Sequence, residues 1–245
     1  MKIGLTSVTF RGLSWREVIA VAKECGLDGI EWGGDVHAPP GDVARAKEIR
    51  RATEDAGLAV LSYGSYYRLG AGECFQPVLE TARALGAGMI RVWAGVKRSA
   101  DYTAEEREAA VRDAQNIAGM AEVCGITVAL EYHRNTLTDH RHSAVALLLD
   151  AEHDNLKSYW QPNPELSRDE NWEELHAVLP WLTYLHVFHW KPDGTRLRLE
   201  EGEQDWCLYI RQASGYAQAA ILEFVAGDDP AQCAQDAKTL RRLCG

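Results

Sequence analysis

The sequence predicts a single (β/α)8 TIM barrel of the α/β class, spanning residues 1–245. Three observations predict it. Short β-rich apolar runs alternate with longer helical stretches eight times. The strand runs are apolar at nearly every position, as expected when both faces of a parallel sheet are covered. And 245 residues suit eight β–α units without a second domain. An open doubly wound sheet is the rival. It would usually carry a glycine-rich phosphate loop after its first strand, whereas Thr6–Gly12 holds one glycine.

The elements follow in order. Lys2–Thr6 reads as the first strand. Its helix is Trp15–Cys25, with Ser14 and Glu17 forming a capping box and Gly26 a stop. Val18, Val21, Ala22 and Cys25 recur at three-and-four spacing and make one buried face. Gly29–Trp32 is the second strand and Asp42–Ala56 its helix. Leu58–Tyr63 and Phe75–Leu85 make the third unit. Met89–Trp93 is the fourth strand, followed by a helix that opens on the Thr103/Glu106 capping box and runs to Cys124. Ile126–Glu131 and Ser143–Asp150 make the fifth unit, and a weaker Lys157–Trp160 and Trp172–Leu179 the sixth. Leu182–Phe188 and Trp206–Gln212 make the seventh, Ala220–Val225 and Ala231–Leu243 the eighth.

Composition narrows the function classes. Lys and Arg number 26 against 36 Asp and Glu, a net charge of −10, which opposes a nucleic-acid partner. No apolar run approaches the roughly 18–20 residues of a bilayer span, so no membrane partner is expected. The N-terminal residues lack a secretion signal, and the six cysteines form no CxxC pair. Both point to a reducing, cytoplasmic setting with most cysteines as small buried hydrophobes.

In such a barrel, function gathers at the carboxyl ends of the strands. Glu131 and Glu223 each interrupt an apolar run there, and His186 does the same in Leu185-His186-Val187. A carboxylate in such a run is costly unless paired, hydrogen-bonded or metal-bound. Two Glu and one His converging with a further oxygen donor would suit Mn²⁺, Mg²⁺, Zn²⁺ or Co²⁺. The plainer alternative is a Glu131–Arg91 ion pair with His186 as a core histidine. Trp32, Trp93, Trp160 and Trp190 fall near strand ends, where aromatic faces could stack on a sugar or simply fill the rim. His133 and Asn135 could hydrogen-bond hydroxyls. Asp35 and His37 lie on a glycine-flanked loop after the second strand, which either covers the mouth or forms a turn, and His189 falls on the loop after strand seven.

The segments Leu27–Trp32, Leu130-Glu131-Tyr132-His133, Leu185-His186-Val187 and Leu222-Glu223-Phe224, in that eight-unit order, resemble the xylose-isomerase-like sugar (phosphate) isomerase/epimerase superfamily. The resemblance covers nearly the whole chain. It implies one divalent metal held by Glu131, Gln161, His186 and Glu223. It implies proton transfer next to a carbonyl of a small sugar or polyol, with Glu131 and Glu223 as the acid/base pair. It places Arg198 or Arg196 in a loop whose arginine holds a substrate oxygen; a homo-oligomer is left open. The chain departs from the family at strand six. Gln161 stands where an Asp is usual and Pro164 where a His is usual, which removes one negative charge; Asn163 is the alternative ligand there. Three readings follow. The first is an isomerase or epimerase, with dehydratase or hydrolase chemistry open on the same logic. The second is a sugar-binding barrel that has lost catalysis. The third is an endonuclease IV-like nuclease, which would need more metal ligands and a basic groove.

Overall fold

The computed structural model describes residues 1–245. Eight strands close into one parallel barrel in chain order, with β8 paired back onto β1 through Lys2↔Ala219 to Leu5↔Leu222. The strands are β1 (Lys2–Thr6), β2 (Gly29–Gly33), β3 (Ala59–Arg68), β4 (Met89–Trp93), β5 (Thr127–Glu131), β6 (Leu156–Trp160), β7 (Leu182–Val187) and β8 (Ala219–Leu222). The helices are α1 (Trp15–Glu24), α2 (Val43–Asp55), α3 (Gln76–Leu85), α4 (Ala104–Glu122), α5 (Arg141–Ala151), α6 (Arg168–Val178), α7 (Glu203–Ala213) and α8 (Pro230–Cys244).

Most predicted bounds lie within two residues of the observed ones; α7 starts three residues early, at Glu203, and three other departures have local causes. β3 runs on to Arg68 because Arg68 bridges Trp93 of β4, past the Gly64 at which the apolar pattern breaks. α6 begins at Arg168, four residues before the predicted start, because Ser167 and Glu170 form a capping box. β8 stops at Leu222 because Phe224 turns into the left-handed region at φ 54°. Glu223 nevertheless extends the pairing by donating its N–H to the Val187 carbonyl at 3.0 Å.

The large core lies between sheet and helices. A smaller cluster fills the barrel itself, comprising Leu61, Met89, Ala129, Tyr159, Tyr184, Ala219 and Ile221. The interior is tight: a Cβ on Gly4 would fall 2.3 Å from Leu61 Cδ1. All six cysteines are free. Cys233 is buried, but Cys74 and Cys207 are exposed, which corrects the expectation of mostly buried thiols. No helix is long and apolar enough to cross a membrane.

Candidate metal centre and substrate cavity

Side chains on a strand alternate between faces, so residues two apart share one. Five of the seven members of the apolar cluster inside the barrel are followed two positions later by a charged or amide residue or a histidine. Met89 is followed by Arg91, Ala129 by Glu131, Tyr159 by Gln161, Tyr184 by His186 and Ile221 by Glu223. Gly29 is followed likewise by Glu31. An apolar layer is thus capped by a polar one at the carboxyl end, and the polar residues meet although their strands are far apart in sequence.

His186 is fully buried at the centre of that layer. Its Nδ1 faces three acceptors: Gln161 Oε1 at 3.2 Å, Glu131 Oε1 at 3.4 Å and Glu223 Oε2 at 3.7 Å. Its Nε2 faces Glu31 Oε1 at 3.2 Å. Both ring nitrogens face acceptors, so the metal-free ring is an imidazolium. Burial alone would lower its pKa, but the Glu223 and Glu31 charges and the hydrogen bonds to Glu131 and Glu31 outweigh this and lift it to about 10.

The carboxylates around it differ. Burial would raise Glu31, but His186 and Arg91 hold it down at about 2. Burial likewise opposes ionisation of Glu131, yet Arg91, bonded directly to it, keeps it well below the usual carboxylate range. Glu223 goes the other way. Burial raises it most, and burial together with repulsion from Glu131 and Glu31 outweighs the lowering by His186 and Arg91. Arg91 itself is raised: burial disfavours its charge, and Glu131 and Glu31 more than restore it.

The donor set fits a divalent cation. The nearest ligand atoms of Glu131, His186 and Glu223 lie within 4.8 Å of one another, and Gln161 presents its carbonyl oxygen to the same His186 nitrogen. Two carboxylates, an imidazole and an amide oxygen form a mixed O/N set of the kind that binds Mg²⁺, Mn²⁺, Co²⁺ or Zn²⁺. A cation held by this set would take the place of a proton on Nδ1.

Above the layer opens a cavity of about 280 Å³. Glu131, Gln161 and Glu223 form part of its lining, with Arg91, Trp93, His133, Asn163, Trp190 and Phe224 among the others. His133 stacks on Trp93 with ring centroids 4.7 Å apart. Its Nδ1 lies 2.6 Å from the Arg134 carbonyl, which can only accept, so Nδ1 carries a proton.

Three residues expected to touch substrate lie elsewhere. Trp160 follows inward-facing Tyr159 by one position, so it points outward; fully buried, it packs edge-on against Tyr209 of α7 at 5.1 Å. His37 is buried with both nitrogens engaged, by Ser7 Oγ and the Leu13 carbonyl at 3.0 Å each. Arg198 caps a short 3-10 turn over Leu199–Gly202 and faces Glu200, away from the cavity. Arg196 stacks over the Phe224 ring at 4.6 Å and pairs with Asp228. Trp93, His133 and Asn163 do line the cavity. Glu31, Arg11, Tyr66 and Asp139 were not among the expected site residues. Of these, Glu31 could have been found, because it interrupts Gly29–Gly33 as Glu131 interrupts its own strand.

A sequence profile of the xylose isomerase-like TIM barrel family matches residues 19–243. The chain belongs to this family. It is 27% identical over 205 residues, 76% of this chain and 71% of the relative, to a 3-dehydroshikimate dehydratase of Bacillus anthracis. Among solved structures, a probable 3-DHS dehydratase involved in petrobactin synthesis in Bacillus anthracis superposes with TM-score 0.83 at 22% identity, over 98% of this chain and 99% of that one. D-psicose 3-epimerase of Clostridium cellulolyticum H10 superposes with TM-score 0.77 at 16% identity, over 100% and 99%. At these identities the superpositions speak for the family's fold.

Proposed function

We propose that this barrel is a divalent-metal-dependent enzyme that removes the proton next to the carbonyl of a small polyhydroxylated keto compound and expels a β-hydroxyl as water. The observation that carries this reading is the convergence of Glu131, Gln161, His186 and Glu223 on one point at the floor of a single cavity. These four would hold the ion. When bound, the metal would polarise the substrate oxygens and stabilise the negative charge that develops on them.

This chain's residues divide the proton work unequally. His133, its Nδ1 tied to the Arg134 carbonyl and its ring braced against Trp93, offers Nε2 as the general base. Glu131 is locked in its ionised form by Arg91, which suits it to hold a cation and not to deliver a proton. Glu223 lines the cavity as the second carboxylate toward the cation, and the proton that His133 takes from carbon is the one His133 can hand to the departing hydroxyl. Trp93, Trp190 and Phe224 shield the reacting carbon from water. The 27% identity to a 3-dehydroshikimate dehydratase supports dehydration as the outcome.

A second reading has Glu131 and Glu223 exchanging protons on opposite faces of a keto sugar, as an isomerase or epimerase would. Both carboxylates line the cavity, which favours it; the charge locked on Glu131 weighs against it. One experiment separates the two. Metal-loaded protein is given 3-dehydroshikimate, whose dehydration yields an aromatic ring read by ultraviolet absorbance, and in parallel D-psicose in D₂O, read by NMR for deuterium next to the carbonyl. Aromatisation supports the dehydratase. Deuterium uptake without loss of water supports the epimerase, and neither outcome with any polyhydroxy ketone rejects both.

A further inference from the structure

Glu31 is fully buried and lies outside the four residues assigned to the metal. It is nevertheless fixed on every side. Ser62 Oγ donates to its Oε2 at 2.7 Å, and its Oε1 accepts from His186 Nε2 at 3.2 Å with Arg91 Nε at 3.4 Å. The strand beside it leaves room for this. A Cβ on Gly64 would fall 2.9 Å from Glu31 Oε1 and 2.8 Å from the Arg91 guanidinium, so a larger residue there would force these two side chains to shift.

An imidazole can bind a metal through only the nitrogen that its other hydrogen bond leaves free. A carboxylate on Nε2 keeps the proton there. Nδ1, the nitrogen aimed at Glu131, Gln161 and Glu223, is then the one that can give up its proton to a cation. A carboxylate behind the ring also makes Nδ1 a stronger donor. That matters in this chain because Gln161 contributes an oxygen without charge. We propose that Glu31 is the positioning residue of the metal centre: it selects the Nδ1-binding form of His186 and supplies, through the ring, negative charge that Gln161 withholds. This inference rests on the metal-centre reading above.

The test uses full-length wild type, Glu31→Leu and Glu31→Gln, with Zn²⁺ as probe. Zn²⁺ affinity is read by calorimetry. The His186 ring is read by ¹H–¹⁵N NMR and assigned by its loss in His186→Gln. Wild type is expected to show a slowly exchanging Nε2 proton with and without Zn²⁺, and a metal-shifted Nδ1 when loaded. Glu31→Leu is expected to lose the protected proton and bind Zn²⁺ about 10–100-fold more weakly. Glu31→Gln, whose amide oxygen still accepts, is expected to keep the Nε2 proton and fall nearer wild type. A part that Glu31 plays only in packing would not predict that rescue. Unchanged Zn²⁺ affinity in folded Glu31→Leu, or Zn²⁺ on Nε2, overturns the role of Glu31 while leaving the centre standing. Wild type that binds no Zn²⁺ yet keeps the protected proton overturns the metal centre and leaves Glu31 as the group that orients His186. Absence of that proton in wild type overturns the role of Glu31 even if Glu31→Leu fails to fold.

Discussion

Gln161 gives the candidate metal centre of this chain its particular charge. It offers an amide oxygen to the point on which Glu131 and Glu223 converge, so the two carboxylates carry all the formal negative charge there. Gln161→Asp is expected to tighten Mn²⁺ binding about tenfold or more, because charge count tunes oxygen-ligand sites. An unchanged calorimetric affinity would place Gln161 outside the ligand set. His133 supplies a separate prediction. His133→Asn keeps size and polarity but lacks a basic nitrogen, so turnover should fall about 10²–10⁴-fold with metal affinity retained. Turnover that survives would move the base elsewhere, Glu223 first. Arg91 was legible only as a partner for Glu131. Its second contact, to Glu31, depends on the neighbouring strand order and on the space left by Gly64.

At the scale of elements, the strands decide which residues face the cavity. The two-residue period carries Glu131, His186 and Glu223 from the apolar layer into the polar one, and it was readable because each polar residue interrupts an apolar run. The same period should have excluded Trp160, which follows Tyr159 by one. Proximity to a strand end was the wrong criterion there, and parity was the right one. Loops carry no such period, which is why His37 and Arg198 were misplaced. His37 turns back onto Ser7 and Leu13, and Arg198 folds into a short helical turn. Gly64 tests the fit between β2 and β3. Gly64→Ala should cost about 1–3 kcal/mol through overpacking and weaken metal binding by displacing Glu31. Unaltered melting and affinity would show that the Glu31–Arg91 pair yields easily. Ser167→Ala, which removes the α6 cap, should cost about 1 kcal/mol with no change in metal affinity.

For the whole molecule, the buried charges at the barrel mouth tie stability to pH. His186 is raised from 6.5 to about 10 on folding, so the stability it contributes is full below pH 6.5 and is lost as pH rises toward 10. Glu31 is lowered from 4.5 to about 2, so its contribution is full above pH 4.5 and is lost as pH falls toward 2. Thermal melts of metal-free protein should therefore peak between pH 4.5 and 6.5 with respect to these two groups. In His186→Gln the alkaline decline should flatten, and an unchanged profile would assign that decline to other groups. Metal binding at pH 8 should release about one proton, from His186, seen as a buffer-dependent binding enthalpy. The amino-acid order alone determined the eight-fold alternation, the helix caps at Ser14 and Thr103, and the three polar interruptions that meet at the candidate metal centre. These are local properties of spacing and period. Only the closed barrel decided that Glu31 stands behind His186, that Arg91 joins Glu31 to Glu131, and that Trp160 faces the helices. Those contacts join strands up to 155 residues apart in the chain, and their distances exist only once the ring of strands has closed.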